Sequence, residues 1–365
     1  ARDKLSLEWA AGLYHHETNP ERDIVLKEAY YKRLKAVEEG VETDWLSQPL
    51  HVGVGQNYNL RFEGGSEEFR WSASLGYKDI QGAMIGSGRK TFSGGVTLSY
   101  SYKNLTFRNQ TSIGSNKSEE SPYGSFSDYA RQQPYNAPWT DDGKLNRYFD
   151  GWDAWETQVQ NPLYDATLGN IDKSGYVEII NNFSVEWKMT PELTLRGKFG
   201  ISHTNNTSDM YKSPESSEFK DYTGDQVLRK GRYVYTTGKA NTYEGNVTLS
   251  YAKVFGEVHS LYAGLDASIA QNDSYSYGFT MEGFTNDRPF LGNALNYAEN
   301  DMPSASEYTT RRLGLVGNVN YVYDNRYYVD LSLRTDGSSQ FGSDKRFGTF
   351  WSAGLGWNVH NEHFW

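Results

Sequence analysis

The sequence predicts an all-β protein, an antiparallel up-and-down β-barrel of the transmembrane kind. Three observations lead there. Apolar and polar residues alternate with period two through most of the chain, and period two places successive side chains on opposite faces of a strand. The connections between alternating runs are short and long by turns, the asymmetry of a membrane barrel with tight turns at one end and long loops at the other. Composition agrees: apolar content is only 37%, yet there are 28 Tyr, 10 Trp and 36 Gly. A wall that meets lipid with every second residue needs no long apolar run, and Tyr and Trp supply its interfacial girdles. Mean hydropathy is −0.73, and no run of about eighteen apolar residues suggests a membrane helix.

Residues 1–50 depart from the pattern. Leu5, Trp9 and Leu13 recur at helical spacing, although a strand through Leu5, Leu7, Trp9, Ala11 and Leu13 competes. From Glu21 to Glu39 the stripe of Ile24, Ala29, Tyr30, Leu34 and Val37 predicts an amphipathic helix that Gly40 ends. This segment is expected to be a helical insertion lying outside the barrel and packed on it.

Residues 51–365 carry the strands. Tyr58, Leu60 and Phe62 share a face before Gly64-Gly65 turns the chain into Phe69, Trp71, Ala73, Leu75 and Tyr77. Val96, Leu98, Tyr100 and Tyr102 lead through Lys103-Asn104 to Leu105, Phe107 and Ile113. Val177, Ile179, Phe183, Val185 and Trp187 precede Thr190-Pro191, and Leu193, Leu195, Phe199 and Ile201 follow. Val247, Leu249 and Tyr251 pass through Phe255-Gly256 to Leu261, Ala263, Leu265, Ala267 and Ile269. Leu313, Leu315, Val319, Tyr321 and Tyr323 meet Tyr327 through Asp324-Asn325. The final pair alternates Tyr327, Val329, Leu331 and Leu333, then Trp351, Ala353, Leu355 and Trp357. The total is eleven strands. Tight turns fall near 64–67, 103–104, 189–192, 255–257 and 324–326. Long loops are expected near 115–175, 203–241 and 271–309, with shorter ones near 79–91 and 335–346.

The last hairpin also carries a spaced motif. Arg334-Thr335-Asp336-Gly337-Ser338-Ser339-Gln340-Phe341-Gly342, then Arg346-Phe347-Gly348-Thr349-Phe350 and Ser352 through Trp357, resembles a segment of SusC/RagA-like TonB-dependent outer-membrane transporters. The stretch from Glu38 to Leu50 and the run from Asn161 to Leu168 resemble the same family. The resemblance touches 1–50, 52–113, 161–187 and 310–365. It implies a plugged barrel of about twenty-two strands, of which this chain is an incomplete portion. It further implies residence in the outer membrane, active uptake of oligosaccharides or peptides driven through TonB, and a SusD-like surface lipoprotein over the loops. An odd count of eleven is also expected of a part, since closing it would bring the first and last strands together parallel.

Chemistry-bearing residues are sparse. The longest loop holds Tyr123, Tyr129, Tyr135, Trp139, Tyr148, Phe149, Trp152 and Trp155. Flat rings stack on sugar faces and peptide side chains, so Trp139, Tyr148, Trp152 and Trp155 are the substrate-binding candidates; the competing expectation is that such rings fold the loop on itself. Asp141-Asp142-Gly143 with Asn146 lacks calcium-loop spacing and reads as a solvated turn. Histidines are scattered, no nucleophile or phosphate-loop motif occurs, and no catalytic residue, cofactor or metal site is predicted. A formal charge of −10 argues against a general nucleic-acid partner. Charged positions on the polar strand face, Arg61, Arg70, Glu178, Glu186, Arg196, Lys198, Asp266, Asp330 and Arg334, are expected to point into the lumen and pair there. The strand pattern alone also permits a passive outer-membrane porin or a soluble β-rich binding or structural protein.

Overall fold

A computed structural model describes residues 1–150, 158–299 and 301–364. The chain opens with helices α1 (Arg2–Ala10) and α2 (Pro20–Glu38). It then enters strands β1 (Gly55–Gly65), β2 (Phe69–Gln81), β3 (Gly88–Tyr102) and β4 (Leu105–Glu119). The long loop that follows contains short helices α3 (Phe126–Ala130) and α4 (Pro162–Asp165) and a two-residue pair, β5 (Tyr148–Phe149) and β6 (Val159–Gln160). The wall resumes with β7 (Ile171–Lys188), β8 (Leu193–Lys212), β9 (Arg232–Phe255) and β10 (His259–Phe284). A short β11 (Ala294–Tyr297) precedes β12 (Ser304–Tyr323), β13 (Tyr327–Ser338) and β14 (Phe347–Trp357). Eleven strands pair in sequence order, each antiparallel to the next, and β11 adds to β10 beside that path. The expected all-β, up-and-down architecture and its strand count are what the structure shows.

Register keeps two chemistries apart. Leu195, Leu249, Leu265, Gly317, Leu333 and Trp351 are successive cross-strand partners from β8 to β14. The neighbouring row on the other face runs Lys198, Asn246, Ser268, Gly314 and Asp336. A one-residue slip anywhere would exchange these sets. The apolar face is bare: Leu265, Leu315, Leu333 and Leu355 are 59%, 56%, 54% and 87% exposed. A continuous apolar surface of this extent is stable in lipid and not in water. The polar face is concave, because residues from seven strands, β4 through β13, line one hollow of about 690 Å³.

Turn chemistry fixes one end. Asp324 and Asn325 both adopt positive φ (46° and 55°), and Arg326 N–H donates to the Tyr323 carbonyl at 2.8 Å. Gly256 and Glu257 do the same at 52° and 67°. Positive φ at both central residues is the turn geometry whose twist matches antiparallel strands.

The other end differs from expectation in extent. β8 continues to Lys212, β9 begins at Arg232, β10 continues to Phe284 and β12 begins at Ser304. The loops expected over 203–241 and 271–309 are therefore largely ladder, and the connection expected over 79–91 shrinks to residues 82–87. Past the apolar band both faces are polar, so period two fades from the sequence while backbone pairing carries on. The helical expectation for the N-terminus is met in both segments. Asn19 caps α2 by accepting from Arg22 N–H at 3.1 Å, Pro20 occupies the first turn, and Gly40 follows at φ +95°. α1 has no side-chain cap and is held instead by packing: Leu5 and Glu8 are its buried residues.

Candidate functional site

The long-loop end of the wall carries an ordered layer. α1 and α2 pack with the β4–β7 loop through Leu5, Tyr14 and Tyr135, all buried. Within this small core lies a carboxylate, Glu8, 3% exposed. It accepts from Tyr14 Oη and Tyr135 Oη, each at 3.1 Å, and Lys4 Nζ lies 3.5 Å away. A buried carboxylate must be paired or solvated; Tyr14 pairs it locally, and Tyr135 pins the first helix to a loop more than a hundred residues away. Burial pushes the Tyr135 and Tyr14 phenols up from their ordinary range.

A second core joins Trp45, Tyr129, Phe149 and Leu163. Trp45 Nε1–H donates to the Gln133 carbonyl at 2.9 Å, and Thr43 N–H to the Pro134 carbonyl at 2.8 Å. Asn161 is fully buried: its Nδ2 donates to the carbonyls of Pro138 (3.2 Å) and Asn146 (2.6 Å), and its Oδ1 caps α4 at Leu163 N–H. The next loops are tied in by carboxylates. Asp165 accepts from the Ser216 and Ser217 hydroxyls at 2.9 and 2.7 Å, and Asp287 accepts from Gly169 N–H at 2.9 Å. Arg147 reaches the carbonyl and carboxylate of Glu215 and lies over the Tyr164 ring at 4.9 Å.

The candidate rings divide accordingly. Tyr129, Tyr135 and Phe149 are interior to the loop layer. Trp139 is 56% exposed and forms a bridge with Leu145, leaving most of its ring free. Tyr148 is half-buried beneath the Arg147 guanidinium at 5.5 Å. Trp152 and Trp155 lie outside the described residues. Composition alone could not separate Trp139 from Tyr135, because the partner that buries Tyr135 is Glu8 of another segment. Sequence reasoning passed over Glu8, Trp45 and Arg147 for the same reason. Asp142 sits in a turn, bonded to Thr140 and Lys144, whose contacts hold its carboxyl below the usual range. Among the described residues no group of three or more His, Asp or Glu is placed to hold a metal ion.

The concave face holds the charged positions expected in the lumen. Arg196 meets Glu186 at 2.7 Å, Arg61 meets Glu63 at 3.1 Å and Arg334 meets Asp336 at 2.6 Å. Asp266 accepts from Asn246 and Thr248 at 2.6 and 2.7 Å, Asp330 from Asn320 at 2.5 Å, and Glu178 from Thr204 at 3.2 Å. Lys198, Arg108 and Arg312 line the same hollow. The result is a wettable trough beside an ordered loop layer, its charges paired within the face or bonded to neighbouring amides and hydroxyls.

Comparison with known proteins agrees with this geometry. No family model matches the chain. Among curated proteins it is similar to the TonB-dependent receptor SusC of Bacteroides thetaiotaomicron, 24% identical over 347 residues, covering 88% of this chain and 33% of that receptor. It is similar also to the TonB-dependent receptor P39 of Formosa agariphila, 26% identical over 322 residues, with 86% and 29% covered. The chain thus spans about a third of the length of these relatives. Among solved structures the RagAB peptide transporter superposes with a TM-score of 0.76 at 19% identity, covering 98% of this chain and 42% of that one. The ferric citrate transporter FecA reaches 0.52 at 8% identity, covering 83% and 38%. These likenesses establish the fold as that of a TonB-dependent barrel wall, and the sequence as SusC/RagA-like.

Proposed function

We propose that this SusC/RagA-like chain forms part of the wall and roof of an outer-membrane importer that takes up an oligomeric nutrient, oligosaccharide or peptide, by TonB-dependent transport. The observation that carries this reading is a single sheet with a bare apolar face, a concave charged face and a built loop layer over one end. A wall of this kind separates lipid from a water-filled path, and the roof supplies the contact surface. The sequence likeness to TonB-dependent receptors, 24–26% identity over most of this chain, supports energy coupling, which would act through parts of the protein outside this chain.

The long-loop end faces outward from the cell in this reading, and a SusD-like lipoprotein covers it. Trp139 and Tyr148, with Trp152 and Trp155 beside them in sequence, are the proposed substrate-contacting rings. Trp139 and Tyr148 sit on an ordered layer, so little conformational entropy is lost when they meet a ligand.

The test uses the full-length transporter in its native cell. Strains lacking it, or carrying Trp139→Ala with Tyr148→Ala, are grown on single oligosaccharides or peptides, with and without a functional TonB system. The reading expects at least one nutrient whose uptake needs the transporter and TonB together. Uptake of every nutrient that is indifferent to TonB would overturn it. Gentle detergent extraction should also bring down a surface lipoprotein, identified by mass spectrometry.

A further inference from the structure

The apolar face has an upper limit, and just beyond it stands a cluster of amines. In β3 the outward-facing Phe92 is followed two residues up the wall by Lys90; in β4 Ile113 and Ser115 are followed by Lys117. Lys90 and Lys117 are direct cross-strand partners, so two ammonium groups stand side by side on the lipid-facing side. Like charges directly opposite destabilise a sheet unless something neutralises them. Asp79 lies 3.8 Å from Lys90, and Glu119 takes Lys173 at 3.1 Å. For Lys117 the ladder offers no carboxylate: its partner on β7 is Gly175, over which its stem lies, a Cβ there falling 3.7 Å from Lys117 Cγ.

These amines line a depression of about 890 Å³ on the outer surface of the wall, whose far side reaches Lys239 on β9; Asp79, Glu119 and Asp209 line it too, the first two engaged by Lys90 and Lys173 and the third by the Tyr233 hydroxyl. Lys90 stands two residues beyond Phe92, and its partner Lys117 four beyond Ile113, which at about 3.3 Å per residue and a tilt near 40° is about 5 Å above the last outward ring and about 10 Å above Ile113. That is the level of lipid headgroups, not of hydrocarbon.

We propose that this depression binds the phosphate-bearing headgroup of an outer-leaflet glycolipid, with Lys90 and Lys117 gripping the phosphate and Lys173 and Lys239 flanking it. The inference rests on the membrane-wall reading above, because only there does the depression meet a headgroup. An anionic headgroup resolves the facing lysines, since a phosphate between two ammonium groups removes the repulsion between them.

The test takes the full-length transporter, purified in mild detergent, and measures by native mass spectrometry how much added bisphosphorylated lipid A it retains. The double variant Lys90→Ala/Lys117→Ala should lose retention at least tenfold, and Lys90→Arg/Lys117→Arg should keep it. Lys253→Ala, which removes an amine at the opposite end of the wall where it meets Glu192 at 3.3 Å, should change nothing. Dephosphorylated lipid A should not be retained by the wild type. Equal retention by the wild type and the double alanine variant would overturn the proposal, as would equal retention of the dephosphorylated lipid. Displacement by inorganic phosphate at micromolar concentration would assign the site to a free anion and overturn the lipid assignment. Heat-dependent mobility in SDS, scored on every sample, reports the barrel itself. Its loss in the wild type would count against the membrane wall, not against the amine cluster.

Discussion

Replacing Leu333 by arginine, set against the same replacement one residue earlier at Ser332, measures the two faces of the wall directly. The two positions share a strand, a depth and almost every backbone hydrogen bond, and differ in the side to which they point. Leu333 is 54% exposed on the apolar face, between Gly317 and Trp351; Ser332 lies between Asn318 and Ser352 on the concave face. Six residues separate Leu333 from the aromatic girdle at Tyr327, where Tyr323, Tyr327 and Trp357 stack at 6.3 and 6.4 Å. At about 3.3 Å per residue and a tilt near 40° that is about 15 Å, close to the middle of a band about 25 Å tall. An arginine at that depth costs about 2–4 kcal/mol, which is roughly 30- to 900-fold in the ratio of folded to unfolded protein. At Ser332 the guanidinium enters the wet hollow near Asp330 and Asp336, and the cost should stay below about 1 kcal/mol, the usual size of an exposed charge effect. The assay is urea unfolding of the full-length transporter in lipid vesicles, followed by heat-dependent mobility. Equal penalties at the two sites would refute the assignment of the faces, and a larger penalty at Ser332 would invert it.

Three further outcomes are expected. An epitope inserted after Asp142 should be detected on intact cells, and one inserted between Lys103 and Asn104 only after permeabilisation; the reverse would overturn the proposed orientation. Asn161→Ala should lower the stability of the loop layer by about 1–3 kcal/mol, because it leaves the Asn146 carbonyl and the Leu163 N–H without their partner and takes one of two donors from the Pro138 carbonyl; protease nicking between β4 and β7 at unchanged barrel stability would report it. The phenols of Tyr14 and Tyr135 are raised above the unfolded value near 10, so the stability they lend is fully present below about pH 10 and declines as pH rises toward their folded values. Tyrosinate absorbance should therefore show a phenol that titrates later than the exposed tyrosines, and Tyr135→Phe should remove that late-titrating group.

The wall was legible because lipid on one side and water on the other write period two into every strand that crosses. Leu313, Leu315 and Val319 announce β12 without any knowledge of its neighbours. Where both sides are wet the rule no longer holds. Asn205, Thr207 and Asp209 look like loop, yet they pair with Lys239, Thr237 and Tyr235 across a regular ladder. The roof was illegible for another reason. Its order comes from contacts such as Trp45 with Phe149 at 5.5 Å, and Asp165 with Ser216, between segments that share no local pattern. Tyr135 and Trp139 read alike in sequence; one is sealed against Glu8 and the other is open, and only the folded chain distinguishes them.

In the proposed importer, the extension of β10 beyond the apolar band would set a length scale for whatever enters. The stretch from Ala270 to Phe284 is paired along its course with β9, β11 or β12, and at the same pitch and tilt it rises about 35 Å. A fully stretched chain covers about 3.3 Å per residue, so about eleven residues would span that height. A cargo of half that size would be wholly inside the chimney before any part of it reached the level of the hydrocarbon, whereas a longer one would still be gripped at the mouth when its leading end arrived there. Short and long cargoes would thus be released from the roof at different moments of the passage, and the dwell time at the mouth should rise with cargo length until it exceeds the chimney and then change slope.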